Sequence, residues 1–162
     1  IVKIARTLKT GLLIFLTTTA YNASAEVFTL ENVKKAQSDP NFPPALIKNY
    51  KTNRSIDVKY SYSYDEINDQ KRLLLTFSTK DTAIQDLLDY GIVVDNVDSP
   101  IIKNSQIVSR GLPTSGNCAY VGNAKVTLTD IWLLIPEVAS EVETGAEISK
   151  VLVASRPQLE CY

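Results

Sequence analysis

The chain has 162 residues, of which 44% are hydrophobic and 22% charged, the size and composition of one globular domain. Its formal net charge is −1, so no overall electrostatic field favours nucleic acid or an anionic membrane. The sequence contains no histidine. This absence excludes Ser-His-Asp triads, Cys-His dyads and H-E-x-x-H zinc sites.

The first 25 residues have the three parts of an export signal. Three cations come first, an apolar run follows at 11–16, and the small-x-small sequence Ala-Ser-Ala ends at Ala25. The cations are Lys3, Arg6 and Lys9. We predict a signal peptide over 1–25, cleaved after Ala25, and a single mature domain over 26–162 in the periplasm or outside the cell. The alternative is a short segment retained as a membrane anchor.

Two short helices are predicted at the start of the mature domain. The first spans 29–37, with Thr29 as N-cap and Leu30, Val33 and Ala36 as its inner stripe. The second begins at one of the prolines 43–44 and extends through Tyr50.

The clearest strand signal lies in residues 55–79. Five apolar or aromatic side chains alternate with polar ones, which is typical of a half-buried strand; they are Ile56, Val58, Tyr60, Tyr62 and Tyr64. A polar segment and the run 72–79 follow, with Leu73, Leu75 and Phe77 on one face, so the pair is predicted to be an antiparallel hairpin. The three tyrosines have two interpretations: part of the core, with Tyr60 mostly buried and Tyr64 most exposed, or an aromatic platform for a peptide or glycan.

The remaining elements are predicted from shorter signals. An amphipathic helix is expected over 81–90, ending before Gly91. Predicted strands cover 92–94, 101–110, 118–121, 125–135 and 148–155, while the acidic segment 137–147 is predicted to be a solvated loop or frayed helix. These elements predict an α+β fold, with an antiparallel sheet of five or six strands and one main helix packed on it. The alternative is a β-sandwich with a helical N-terminal extension.

The only two cysteines are Cys118 and Cys161, and both lie in the predicted mature domain. An oxidising compartment favours a disulfide between them. The spacing is not C-x-x-C, and two sulfurs without histidine rarely hold zinc. We therefore predict a structural bridge and no cofactor or metal.

Carboxylate chemistry is the one enzymatic possibility that the composition leaves open. Candidate acids are Asp57, Asp65, Glu66 and Asp130. Asp130 stands out because it lies in an apolar run beside Trp132, where it is either buried with a cationic partner or placed at a bulge or edge.

Three functions are weighed on these features. The first is an exported, non-enzymatic protein-binding module of a bacterial envelope, an inhibitor, immunity-type or accessory component that binds another envelope or extracellular protein. Its candidate interface comprises Tyr60, Tyr62, Tyr64, Glu137, Glu141 and Glu143.

The second function is that of a carrier of a small apolar ligand, with a pocket lined by Tyr62, Phe77, Leu88 and Trp132. The third is a hydrolase using Asp130 or Glu66. Neither nucleic acid nor, after signal cleavage, a membrane is an expected partner.

Overall fold

The computed structural model of the chain describes residues 27–36, 44–77, 91–137 and 142–162. Strands make up 64% of these residues and helical turns 6%. The α+β prediction is therefore wrong, and the fold is β-rich. The predicted main helix at 81–90 lies outside the described residues, as does the predicted signal peptide.

Eight strands and two short helical turns form the described structure. The strands are β1 (Phe28–Ala36), β2 (Ala45–Thr52), β3 (Ile56–Asp65), β4 (Gln70–Thr76), β5 (Ile92–Val94), β6 (Cys118–Pro136), β7 (Glu143–Ala154) and β8 (Gln158–Cys161). Between β5 and β6 lie a one-turn helix, α1 (Pro100–Lys103), and a three-ten turn, η1 (Gln106–Val108).

Five of the strands close into a barrel. β3 pairs with β4, β4 with β5, β5 with β7, β7 with β6, and β6 again with β3. The β5–β7 pair is parallel and the other four pairs are antiparallel. This connectivity is that of the five-stranded Greek-key barrel of OB type. The ring is closed at β5 by two residue pairs with β4 and two with β7.

The long strand β6 joins the barrel to the remaining strands. Along one edge it pairs first with β3 and then with β2, and along the other first with β8 and then with β7. Its pairing with β7 is irregular between Thr129 and Trp132, where Asp130 has a φ of 49°. A bulge of this kind bends a strand and re-aims the side chains after it. Asp130 is exposed at this bulge. Of the two positions predicted for it, the structure shows the bulge and not burial beside a cationic partner.

Both helices predicted near the N-terminus are instead a β-hairpin of β1 and β2. The apparent helical spacing of Leu30 and Val33 has a specific cause. The pairing shifts between Leu30 and Asn32, so Leu30 and Val33 face the same side of the sheet, opposite Tyr50 and Lys48. The bulge thus gives the apolar side chains of this strand a spacing of three residues, and such a spacing in the sequence is typical of a helix.

The predicted hairpin is confirmed as β3 and β4, with Tyr60 opposite Leu75 and Tyr62 opposite Leu73. Tyr60, Leu73 and Leu75 are all fully buried in the barrel. The Phe28 and Phe77 rings lie 5.3 Å apart between centroids, tilted by 31°, so the N-terminal hairpin packs on the barrel through an aromatic pair.

Three predictions after the hairpin need correction. Residues 101–110 contain α1 and η1 rather than a strand, because Pro100 pre-sets the first helical turn. The two strands predicted at 118–121 and 125–135 are one continuous strand, β6. The segment predicted as a solvated acidic loop already forms β7 from Glu143 onward, where Thr144, Gly145 and Ala146 are buried.

The predicted disulfide between Cys118 and Cys161 is present, with an S–S distance of 2.02 Å. The two residues are cross-strand partners of β6 and β8. The bond ties the C-terminal strand to the start of the longest strand.

No helix in the described ranges is long and apolar enough to cross a membrane.

Candidate functional site

A polar cleft of about 610 Å3 lies over β4 and β5, between the β3–β4 turn and the start of β7. It is called the polar cleft from here on. Its lining includes Asp65, Lys71, Arg72, Asp95, Trp132 and Glu143. Counted around the barrel from β3, the cleft lies over the second and third strands, β4 and β5, and it is bounded by the β3–β4 turn and by residues 142–144 at the start of β7. The barrel closure therefore brings together residues that are far apart in sequence.

Trp132, the only tryptophan of the chain, forms one wall of the polar cleft. Its indole Nε1 donates a hydrogen bond of 2.8 Å to Asp95 Oδ2. The ring lies directly over Gly145, so close that a Cβ at that position would overlap the indole. The indole is thus held against the backbone at Gly145 and by a carboxylate at Nε1, and in this fixed position it lines the cleft.

The turn that carries Asp95 is itself anchored to β7. Asp95 N donates to Ala146 O at 2.9 Å. The Asn96 side chain donates to Ile148 O at 3.0 Å and accepts from Ile148 N at 2.9 Å, like a strand residue extending the parallel pairing. The buried Thr144 hydroxyl donates to Gly91 O at 2.6 Å. The segment that contains β5 is thus held to β7 at both of its ends, by one backbone hydrogen bond and three that involve side chains.

The charges in the polar cleft are mixed. Lys71 Nζ donates to Asp98 Oδ1 at 2.6 Å, and Lys103 approaches the same carboxylate at 3.6 Å. The hydrogen bond to Asp98 raises the pKa of Lys71, and the same bond lowers the pKa of Asp98. Arg72 makes no ion pair within 4.0 Å with any described residue. The cleft therefore offers a guanidinium beside three carboxylates and a neutralised lysine.

Asp65 shapes the β3–β4 turn at the cleft rim. Its carboxylate accepts from Ile67 N at 3.1 Å and from Asn68 Nδ2 at 2.8 Å. The side-chain hydrogen bond from Asn68 lowers the pKa of Asp65. This arrangement is an Asx turn, which holds the loop with the side chain as a backbone mimic.

A second, apolar cleft of about 820 Å3 lies where β4 and β7 end. Its apolar lining residues are Val58, Phe77, Ala124, Val153 and Ala154, and Lys59 and Lys125 also line it. Lys125 Nζ is 3.8 Å from Asp57 Oδ2 across the surface.

The predicted interface residues do not converge. Tyr60 is fully buried and Tyr62 is 5% exposed, so both belong to the core, and burial raises the pKa of each phenol. Tyr64, at the end of β3, is half-buried and its hydroxyl contacts Asp69. Of the three glutamates, Glu143 lines the polar cleft and Glu137 follows β6. Glu141 lies outside the described residues.

The residues predicted to line one apolar pocket are also separated. Phe77 lines the apolar cleft, Trp132 lines the polar cleft, and Tyr62 lies in the barrel core. Leu88 lies outside the described residues.

The candidate acids are likewise distributed over the surface. Asp57 lines the apolar cleft, Asp65 caps the β3–β4 turn, and Glu66 follows it beside Gly116. Asp130 lines a third cavity, of about 420 Å3, next to the N-terminal hairpin. In the described part of the chain, no three acidic or cysteine side chains are grouped as metal ligands.

Sequence reasoning missed the roles of Asp95, Gly145 and Arg72. In the sequence, Asp95 directly follows the predicted strand at 92–94, and Gly145 lies in the segment predicted to be a solvated loop or frayed helix. The available signal was a glycine inside a strand, which often marks a close approach by another group.

Comparison with protein-family profiles, with characterised proteins and with solved structures finds no significant match.

Proposed function

We propose that the protein is an exported, non-enzymatic binding module and that its binding site is the polar cleft. The observation that carries the proposal is the fixed indole of Trp132, held by Asp95 and Gly145 at the edge of a concave polar surface. Pre-formed concave sites with an aromatic wall and a few convergent polar groups are typical of ligand recognition. The partner is a polymer of the envelope or extracellular space that presents an extended segment.

Export is supported by the signal-like pattern of residues 1–25 and by the disulfide, since such bonds persist mainly in oxidising compartments. The placement of the cleft gives a fold-level analogy. OB-type barrels bind chain-like ligands over their second and third strands and the flanking loops. The analogy concerns architecture and supports a binding role without identifying the ligand.

Affinity capture with matched variants tests the proposal. The purified protein, Trp132→Ala and Tyr162→Ala are immobilised and exposed to extracellular and envelope fractions of the source cells. Tyr162→Ala is the aromatic control, because this residue is 87% exposed on the C-terminal tail. We expect one polymer to be retained intact by the wild type and by Tyr162→Ala but not by Trp132→Ala. Retention independent of Trp132, or release of the polymer in cleaved form, contradicts the proposal.

The apolar cleft favours a second function, a carrier of a small apolar ligand. Its volume of about 820 Å3 is sufficient for such a molecule, and Val153 in its wall is 65% exposed. Native mass spectrometry of protein from its own compartment tests this function. A co-purifying lipid-like mass that is lost in Val153→Asp supports the carrier, and the bare protein mass alone contradicts it.

A further inference from the structure

A single row of side chains crosses six strands on the outer face of the sheet. Cross-strand pairs place Asn32 opposite Asn49 and Asn49 opposite Trp132. Trp132 in turn lies opposite Gly145, which pairs with Val93, which pairs with Leu74. Directly opposed residues share a sheet face. The row is outward-facing, because the side chains alternating with it in β4 and β5 are buried.

The chemistry of this row changes from one end to the other. At the barrel end, half-buried Leu74 and Val93 precede the indole of Trp132. Beyond the indole, the N-terminal hairpin adds the amides of Asn49 and Asn32, which line the third cavity of about 420 Å3. The hairpin is not part of the closed barrel, so it lengthens the surface on the far side of Trp132 from the polar cleft.

An indole face followed by amides suits a carbohydrate chain. The ring offers a rigid apolar surface, which can cover the apolar face of a sugar. Each asparagine side chain offers one acceptor and two donor positions, which suits hydroxyl groups that both donate and accept. Neighbouring strands are about 4.8 Å apart, so the indole and the two amides contact successive parts of an extended ligand.

The charges of the polar cleft disfavour a polyanionic ligand. A nucleic acid or other polyanion needs several unpaired cations along its path. The polar cleft has carboxylates at Asp65, Asp95 and Glu143, and Lys71 is neutralised by Asp98. An uncharged chain meets no repulsion from this mixture.

We propose that the ligand class of this site is a neutral glycan, lying along the row from the polar cleft across Trp132 to Asn49 and Asn32. This inference rests on the function proposed above and specifies its ligand. Trp132 supplies the stacking surface, and the asparagines hydrogen-bond the sugar beyond it. The N-terminal hairpin is then a part of the binding site and not only a support for β6.

The experiment is a glycan array followed by calorimetric titration of the strongest neutral glycan. Four proteins are compared: wild type, Trp132→Ala, Asn49→Ala and Asn104→Ala. The last removes an exposed amide in the turn after α1, outside the row, and is the matched control. We expect Asn49→Ala to weaken affinity about three- to tenfold, the loss of one hydrogen bond. Trp132→Ala is expected to weaken it at least about tenfold, and Asn104→Ala to leave it unchanged.

Two further measurements separate the possible failures. Circular dichroism melts of each variant confirm folding, and Trp132→Leu, which keeps an apolar side chain without an aromatic face, replaces the alanine variant if that variant is unfolded. An array on which no neutral glycan binds in a Trp132-dependent way overturns the glycan proposal. If a peptide or protein then binds with dependence on Trp132, the polar cleft stands as the binding site and only the ligand class is wrong. If nothing depends on Trp132, both proposals are wrong.

Discussion

Truncation of Tyr60 should be among the most destabilising single changes in the barrel. The side chain is fully buried between β4 and β6, opposite Leu75 on one side and Gly122 on the other. Its hydroxyl passes over Gly122 and donates to Ser155 O at 3.0 Å. Removing a buried large aromatic side chain costs about 3–5 kcal/mol. That is a large fraction of a typical domain stability of about 5–15 kcal/mol.

Two further variants show how much of this loss of stability comes from the hydrogen bond and how much from burial of the ring. Tyr60→Phe keeps the ring and removes only the hydrogen bond to Ser155, so we expect a loss of about 1 kcal/mol. Tyr64→Ala removes a tyrosine from the same strand face at the half-exposed end of β3. For this control we expect a smaller loss, of about 1 kcal/mol, because the side chain is only partly buried.

Urea denaturation followed by circular dichroism measures these differences. With a loss of about 4 kcal/mol and an m-value near 2 kcal/mol/M, the Tyr60→Ala midpoint should fall by about 2 M. Equal midpoints for Tyr60→Ala and Tyr64→Ala would refute the burial argument. A loss below about 1 kcal/mol for Tyr60→Ala would show that the barrel interior is not packed around this ring.

Three other predictions follow from individual contacts. Gly145→Ala should displace the indole, shift the tryptophan emission and cost about 1–3 kcal/mol by overpacking; unchanged emission contradicts the contact. Cys118→Ser should lower stability by about 4 kcal/mol, because the disulfide closes a loop with a sequence separation of 43; equal melting of the wild type with and without reductant would argue against it. For Asp98, the lowered pKa means that its stabilising contribution is present above the ordinary value of 3.8 and is lost as pH falls through the lowered pKa. Carboxyl NMR titration of Lys71→Gln should return the Asp98 pKa toward 3.8, and no movement would contradict the pairing.

Some features of this protein follow from its sequence alone because their causes are local or pairwise. The alternation from Ile56 to Tyr64 specifies a strand with one buried face, since side chains two residues apart share a side. It also places Tyr60 deeper than Tyr64, which lies beside the turn. The disulfide follows because two cysteines allow only one intramolecular pairing.

The tertiary structure decided the fold class and the candidate site. Leu30 and Val33 are spaced as on one face of a helix, but a bulge places both on one side of a sheet. This bulge exists only because β1 pairs with β2. β6 pairs with four partner strands, of which only β7 is its neighbour in the sequence. Trp132 and Asp95 are 37 residues apart, and only closure of the barrel brings the indole to that carboxylate. Non-local strand pairing sets these positions, and local periodicity carries no information about which strands will meet.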